Sequence, residues 1–302
     1  MSAQTLEATA QAMVADGKGI LAIDESSPTI KKRFDSIKTE CTEESRRAYR
    51  ELLITCSGLE KFISGMFLFD ETIRQSTSDG VPFPEFMRKK GIMPGIKVDK
   101  GAKDLAAHPG EKVTEGLDGL RDRLAEYRDL GAPFAKWRAV ITIGDGIPSV
   151  GCIEANAHAL ARYAALCQEA GLVPMVEPEV LLDGDHSIER CFEATEATLR
   201  ALFAALFQQR VLLEGTILKA SMVLSGKNAS KRAGVETVAE RTIACLRRSV
   251  PAALPGVVFL SGGQTPQEAT AHLNAMNAMA GNLPWKLSFS YSRALQEPAL
   301  KA

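Results

Sequence analysis

The chain has 302 residues and a formal net charge of −1; 45% of the residues are hydrophobic and 24% charged. That balance is ordinary for a globular protein and excludes the basic face of a general nucleic-acid binder. No run of about 18 apolar residues appears, so no membrane span is predicted.

Residues 3–16 form an alanine-rich amphipathic pattern stopped by Gly17 and Gly19. Glu7 and Asp16 inside it are incompatible with a signal peptide, which makes the cytoplasm the expected address. GILAIDES at 19–26 is a short apolar run that ends in polar residues, the pattern of a buried strand opening into a loop. The same pattern recurs at 61–69, 93–99, 134–141, 172–180, 216–223, 256–263 and 285–292. Helical patterns lie between these runs at 43–56, 116–130, 153–170, 188–209, 235–248 and 267–280. Asp185 and Thr265-Pro266 have the chemistry of helix starts.

Strands alternating with helices predict a parallel sheet. Eight such strands predict an α/β fold of one closed (β/α)8 TIM barrel over residues 1–302, with an extra N-terminal helix. The alternative is an open doubly wound sheet, but Gly144-Asp145-Gly146 is too incomplete for a dinucleotide fingerprint. After the eighth strand residues 293–302 remain, with Pro298 among them. Proline disfavours a helix interior. The expectation is a truncated eighth helix and an apolar surface near the N-terminal helix, covered by that helix, a partner subunit or further chain.

The six cysteines, Cys41, Cys56, Cys152, Cys167, Cys191 and Cys245, show no CxxC pair and read as buried thiols. His108, His158, His186 and His272 have no ligand spacing, so no metal and no cofactor are expected. Asp183-Gly184-Asp185-His186 reads as a helix N-cap turn.

Charges interrupt the apolar strands with a consistent parity. Lys219 stands alone among Ile217, Leu218, Ala220, Met222 and Val223. Residues two apart share a strand face. Lys136 and Arg138 therefore face one way while Trp137 and Ala139 face the other; Glu177 and Glu179 likewise oppose Val176, Pro178 and Val180. Asp24 ends the first strand and Lys97 sits near the end of the third. Any one charge fits a structural ion pair, but charge at the same end of five strands points to a polar cavity, because burying ions is costly. In a (β/α)8 barrel that end is the active-site end. The candidates sum to a positive bias, with Lys97, Lys136, Arg138, Lys219 and Arg293 set against Asp24, Glu177 and Glu179. An anionic, phosphorylated substrate follows. Ser261-Gly262-Gly263 after strand seven and Arg293 after strand eight are placed to hold phosphate.

A buried lysine with a second cation beside it loses its proton more readily and can form a Schiff base with a ketone. The protonated imine is an electron sink for breaking or making the adjacent carbon–carbon bond. Glu177 and Asp24 offer the acid and base, and Lys136 the second cation.

The segments GILAIDES, PGIKVDKG, FAKWR, VEPEVLLDGDH, GTILKASMV, LSGGQ and SFSYSRALQ resemble, in order, those of class I fructose-bisphosphate aldolase. The resemblance implies a homo-oligomer, usually a homotetramer, in glycolysis and gluconeogenesis. It would reversibly cleave fructose 1,6-bisphosphate to dihydroxyacetone phosphate and glyceraldehyde 3-phosphate. It also implies that Lys219 is the Schiff-base lysine and Glu177 the main acid/base. Asp24 would handle the hydroxyl proton, Lys136 assist the imine, and Glu179 and Arg138 complete the polar network. Ser261, Gly262, Gly263 and Arg293 would hold one phosphate, and Ser26, Thr29 and Lys97 the other, with Arg33 matching an arginine that moves with substrate. Thr29 stands where a serine is usual and Ser292, beside Arg293, where a glycine is common. The sequence ends at Ala302, short of the family's C-terminal tail and its tyrosine. The corresponding expectation is a Schiff base that forms normally and a slow protonation of the released carbon. Two other readings remain open from the residues themselves: a lysine-dependent aldolase for another sugar phosphate, and a barrel kept as a scaffold.

Overall fold

The computed structural model describes residues 2–279 and 281–301. Helix α1 (Ala3–Met13) precedes strand β1 (Gly19–Ala22). Helices α2 (Ser27–Ser36) and α3 (Glu43–Ile54) lead to β2 (Ile63–Leu68), and the short α4 (Asp70–Ile73) and α5 (Phe83–Lys89) to β3 (Met93–Lys97). An antiparallel pair, Ala102–Asp104 with Lys112–Thr114, comes before α6 (Leu120–Asp129) and β4 (Phe134–Ile141). Then follow α7 (Val150–Ala170), β5 (Val173–Val180), α8 (Ile188–Gln208), β6 (Ile217–Ala220) and α9 (Val235–Ser249). Strand β7 (Gly256–Phe259), α10 (Pro266–Met279), β8 (Lys286–Tyr291) and α11 (Arg293–Lys301) complete the described chain. The eight strands pair in parallel with their sequence neighbours, and β8 pairs with β1 to close the barrel. The predicted (β/α)8 architecture is thus the one observed.

Alternation along each strand divides the core in two. Ile20, Phe67, Phe134, Val173, Met175, Ile217 and Val258 pack inside the barrel. Leu6, Ala10 and Met13 of α1 join them and close its base. Trp137, Val176, Leu218 and Phe259 point outward, where they meet Tyr163 and Leu202 of the helical layer. Each such side chain contributes about 1.5–3 kcal/mol when fully buried. Going up the inward faces, the apolar residues give way to charge: Phe134 to Lys136 and Arg138, Val173 and Met175 to Glu177 and Glu179, Ile217 to Lys219.

The interior is filled at the expense of neighbouring side chains. A Cβ added at Gly95 would lie 2.4 Å from the Phe134 ring, which is fully buried and has nowhere to swing. Gly95→Ala is therefore expected to destabilise the barrel by about 1–3 kcal/mol, the usual cost of overpacking. Chemical denaturation checks this, and Gly95→Ala with Phe134→Leu should recover part of the loss.

Several boundaries differ from the sequence reading. Strand β1 stops at Ala22, so Asp24 lies in the loop beyond the strand rather than ending it. The cap of α8 is Ser187, whose Oγ accepts from the Arg190 amide at 3.2 Å, so Asp185 is not the helix start. Thr265 does start α10: its hydroxyl accepts from the Glu268 amide at 3.1 Å and Glu268 accepts from the Thr265 amide at 2.9 Å, a capping box. The expected end of that helix at Ala280 lies outside the described residues. Helix α11 continues through Pro298 to Lys301. Its first turn is pinned by Gln296, which donates to the Ala22 carbonyl at 2.5 Å and to Glu25 at 2.9 Å. Four of the six thiols are buried; Cys41 is half-buried and Cys56 exposed. Cys56 lies just past the end of α3, where no helix covers it. Among the described residues no helix is long and apolar enough to cross a membrane. A cavity of about 980 Å³ opens at the base of the barrel beside Val14, Trp285 and Phe289, with Asp16, Lys18 and Lys286 also in its wall.

Candidate active site

The charged ends of the inward faces converge at the opposite mouth. Lys219, on β6, lies 3.0 Å from Glu177 Oε1 on β5. The other carboxylate oxygen of Glu177 faces Lys136 of β4 at 3.4 Å, and Lys136 reaches Asp24 Oδ2 at 2.5 Å. The side chains of these four residues are each at least nine-tenths buried. Burial opposes every one of these charges, so their states depend on which neighbours win. Burial pushes the Lys219 ammonium down and the Lys136 charge pushes the same way; Glu177 opposes without winning, and the pKa is lowered. Lys136 suffers the same burial, but Asp24 and Glu177 outweigh it and its pKa is raised. Burial alone would raise Glu177 and Asp24; Lys136 and Lys219 pull both below the ordinary carboxylate range. The two lysines therefore separate into a retained cation and a candidate free amine.

A ring of supporting residues surrounds this centre. Arg138 is paired with Glu179 through its Nε. Lys97 is held by Asp99 at 2.7 Å, and Asp99 also accepts from the Arg138 amide at 3.2 Å. Arg33, on α2, is gripped by Glu25 at 2.6 Å, Gln296 at 3.0 Å and Ser292 at 3.0 Å. Arg50 of α3 binds the second oxygen of Glu25 at 2.8 Å. Glu25, Arg50, Asp99 and Gln296 were not singled out by the sequence reading. Asp99 has a sequence signal, because it shares parity with Lys97; Gln296 and Arg50 have none, because their partner Glu25 lies in a loop far away in sequence.

Two cavities open above the centre. The larger, about 580 Å³, is lined by Asp24, Ser26, Thr29, Lys97, Lys136, Arg138, Glu177, Ser292 and Arg293. The smaller, about 170 Å³, shares Arg138 and Arg293 and adds Glu179, Lys227, Gly262 and Gly263. Gly262 and Gly263 have φ of +56° and +94°, a left-handed pair that side chains resist. Both glycines line the smaller cavity with bare backbone, which leaves room for an anion to approach the main chain. Ser261 and Gln264 fix the turn: the Gln264 side chain donates to the Ser261 carbonyl at 3.1 Å and meets His272 Nδ1 at 2.6 Å. Ser26 and Thr29 face each other at 3.2 Å at the start of α2. All the predicted site residues thus gather at one mouth, although Arg33 and Ser292 are engaged with Glu25 rather than free. Among the described residues no group of three or more His, Cys, Asp or Glu side chains is placed to hold a metal ion.

A closed parallel barrel with paired lysines and acids at its C-terminal mouth, under two cation-rimmed cavities, has the layout of a barrel enzyme for anionic carbonyl substrates. The family model described as fructose-bisphosphate aldolase class-I matches residues 5–302. The chain is 69% identical over 301 residues to a probable fructose-bisphosphate aldolase class 1 of Xanthomonas campestris, covering all of this chain and 90% of that one. It is 54% identical over 286 residues to the cytosolic fructose-bisphosphate aldolase 4 of Arabidopsis thaliana, covering 95% and 73%. The fructose-bisphosphate aldolase of Plasmodium falciparum, solved with TRAP and a small-molecule inhibitor, superposes with a TM-score of 0.97 at 51% identity, covering 98% of this chain and 86% of that one. The chain belongs to the class I fructose-bisphosphate aldolase family, whose members are carbon–carbon lyases of glycolysis.

Proposed function

We propose that Lys219 is the Schiff-base lysine in the reversible cleavage of fructose 1,6-bisphosphate. The observation that carries this is the unequal pairing of the two buried lysines: Lys219 pairs with Glu177 at 3.0 Å, whereas Lys136 is held by both Asp24 at 2.5 Å and Glu177 at 3.4 Å, which favours the free amine on Lys219 and the cation on Lys136. The amine attacks the ketone carbon; Glu177, ionised at rest, takes a proton from the nitrogen as the carbinolamine forms and returns it to the hydroxyl, which departs as water. Asp24 takes the proton from the substrate hydroxyl at the bond to be broken. The electron pair of that bond moves to the iminium as the aldehyde leaves, giving an enamine. Protonation of its carbon and hydrolysis release dihydroxyacetone phosphate and the free amine. Lys136 stabilises the carboxylates through this cycle, while Glu179 and Arg138 hold the shape of the mouth. Borohydride added with dihydroxyacetone phosphate should inactivate the enzyme and place the label on Lys219. Label on Lys136 or Lys97, with Lys219 clean, would reject the assignment.

Ser261, Gly262, Gly263 and Arg293 are the proposed site for one phosphate, and Ser26, Thr29 and Lys97 for the other. Arg33, poised by Glu25 and Ser292, would turn toward substrate. Arg293→Ala is expected to raise KM by roughly 10–100-fold with little change in kcat, because a charge-assisted hydrogen bond is lost equally from ground and transition states. Steady-state kinetics checks this, and a fall in kcat at constant KM would move Arg293 from binding into chemistry. A cytoplasmic homotetramer is part of the same proposal, supported by the resemblance and by plant relatives named as cytosolic. Sedimentation as a monomer at working concentration would contradict the oligomeric part.

A further inference from the structure

An uncharged aromatic ring lies against the catalytic centre. Phe67, on β2, is fully buried in the barrel interior. The Lys136 Nζ lies over its ring, 5.3 Å from the centroid, and the Lys219 Nζ lies 6.0 Å from the same centroid. Both distances are within the range at which a cation is drawn to an aromatic face. The ring is held in place. Phe134 meets it edge-on with centroids 4.9 Å apart and an interplanar angle of 67°. Phe134 in turn fills the space left by Gly65 and Gly95, where an added Cβ would lie 2.9 Å and 2.4 Å from it.

We propose that Phe67 is a positioning residue of the active site, whose ring face holds the Lys136 ammonium and the cation that forms on Lys219 during turnover. The proposal rests on Lys219 being the imine-forming lysine and extends that reading to the floor of the site. The carboxylates approach the two nitrogens from elsewhere, with Glu177 between the lysines and Asp24 beside Lys136. An aliphatic floor would leave Lys136, and Lys219 once it carries the iminium charge, with no electrostatic partner on the ring side, in a medium where an uncompensated charge is costly.

The ring also has a property that the acids lack. An ammonium has three N–H groups to direct at acceptors, whereas a ketone iminium retains one. Hydrogen bonds must rearrange when the imine forms, but attraction to a π face depends on the charge and not on the direction of an N–H. Phe67 can therefore stabilise the Lys136 ammonium and the iminium on Lys219 without moving. It cannot accept a proton, so it does not compete with Glu177 or Asp24 for the acid–base steps.

The test changes the electrostatics of the ring at nearly constant size. Phe67 is replaced in the full chain by 4-fluoro-, 3,5-difluoro- and 3,4,5-trifluorophenylalanine, which progressively withdraw negative potential from the face. The expected result is a stepwise fall in kcat, roughly tenfold by the trifluoro ring. KM should stay within about twofold, because the phosphate contacts are elsewhere. Phe67→Leu should fall at least as far as the trifluoro variant. If Phe67→Leu does not fold, the near-isosteric fluorinated series decides alone. A flat kcat series, or one in which KM rises while kcat holds, would show a ring that only fills space and would overturn the proposal. Borohydride mapping of the unsubstituted enzyme tests the Lys219 assignment separately, so a failure there is distinguishable from a failure of the ring.

Discussion

Lys219→Ala is expected to lower turnover by roughly 10⁵–10⁶-fold, the scale seen when a covalent nucleophile is removed, and to abolish borohydride labelling. No neighbour can take over. Lys136 remains protonated between Asp24 and Glu177, and Lys97 is bound to Asp99. Lys219→Arg should be equally inactive, since a guanidinium keeps the charge but does not deprotonate. The pH dependence has a definite sign. Imine formation needs the unprotonated amine, so its rate rises with pH toward the Lys219 pKa and then levels. Lys136 is one of the charges holding that pKa down. Removing it with Lys136→Leu should raise the Lys219 pKa and move the acid limb of borohydride trapping to higher pH. A limb that stays in place, or moves down, would show that Lys136 does not govern the amine. Residual turnover of Lys219→Ala within about tenfold of the parent would place the nucleophile elsewhere.

Glu177→Gln should lower kcat by roughly 10²–10⁴-fold, the usual weight of general acid–base catalysis. The amide keeps the shape of the carboxylate and its position between Lys219 and Lys136, 3.0 Å and 3.4 Å away in the parent. It cannot carry the proton needed to expel water from the carbinolamine. The charge lost is one that raises the Lys219 pKa, so the variant should contain more free amine than the parent. Its acid limb is therefore expected to move down, opposite to Lys136→Leu. Rapid-quench trapping should find slow formation of the imine with Lys219 still the labelled residue. A kcat within about threefold of the parent would reassign the main acid–base role.

The barrel and most of the charged cluster at its mouth are legible because strand alternation is a strong constraint. Once Lys136 faces inward, Arg138 must as well and Trp137 cannot; the observed core divides along that line. Loops and helices impose no such rule. Glu25 adjoins Asp24 in sequence, yet its role depends on Arg33, Arg50 and Gln296, which arrive from three different helices. Phe67 lies in an apolar run where nothing marks one residue from the next, and only the fold shows which face meets two cations. Helix α2 does carry a sequence signal: Pro28 in its first turn and the buried pair Ile30 and Phe34 at helical spacing. The cap of α8 was misplaced by two residues because Asp185 and Ser187 are chemically equivalent caps, and the choice between them is made by where the backbone first turns helical.

The gradient along the inward faces, from Phe134 and Ile217 at the base to Arg138 and Lys219 at the mouth, has a consequence for redesign. Variation at Ser26, Thr29 and Lys227, around the rim, can be screened for altered sugar preference without disturbing the buried Phe67–Phe134 pair in the barrel interior. Variation at Phe134, Gly95 or Met175 would enrich for survivors of folding whatever they bind. Two mutant libraries drawn along this one axis would therefore answer separate questions, and clones from the upper library could be ranked on turnover alone.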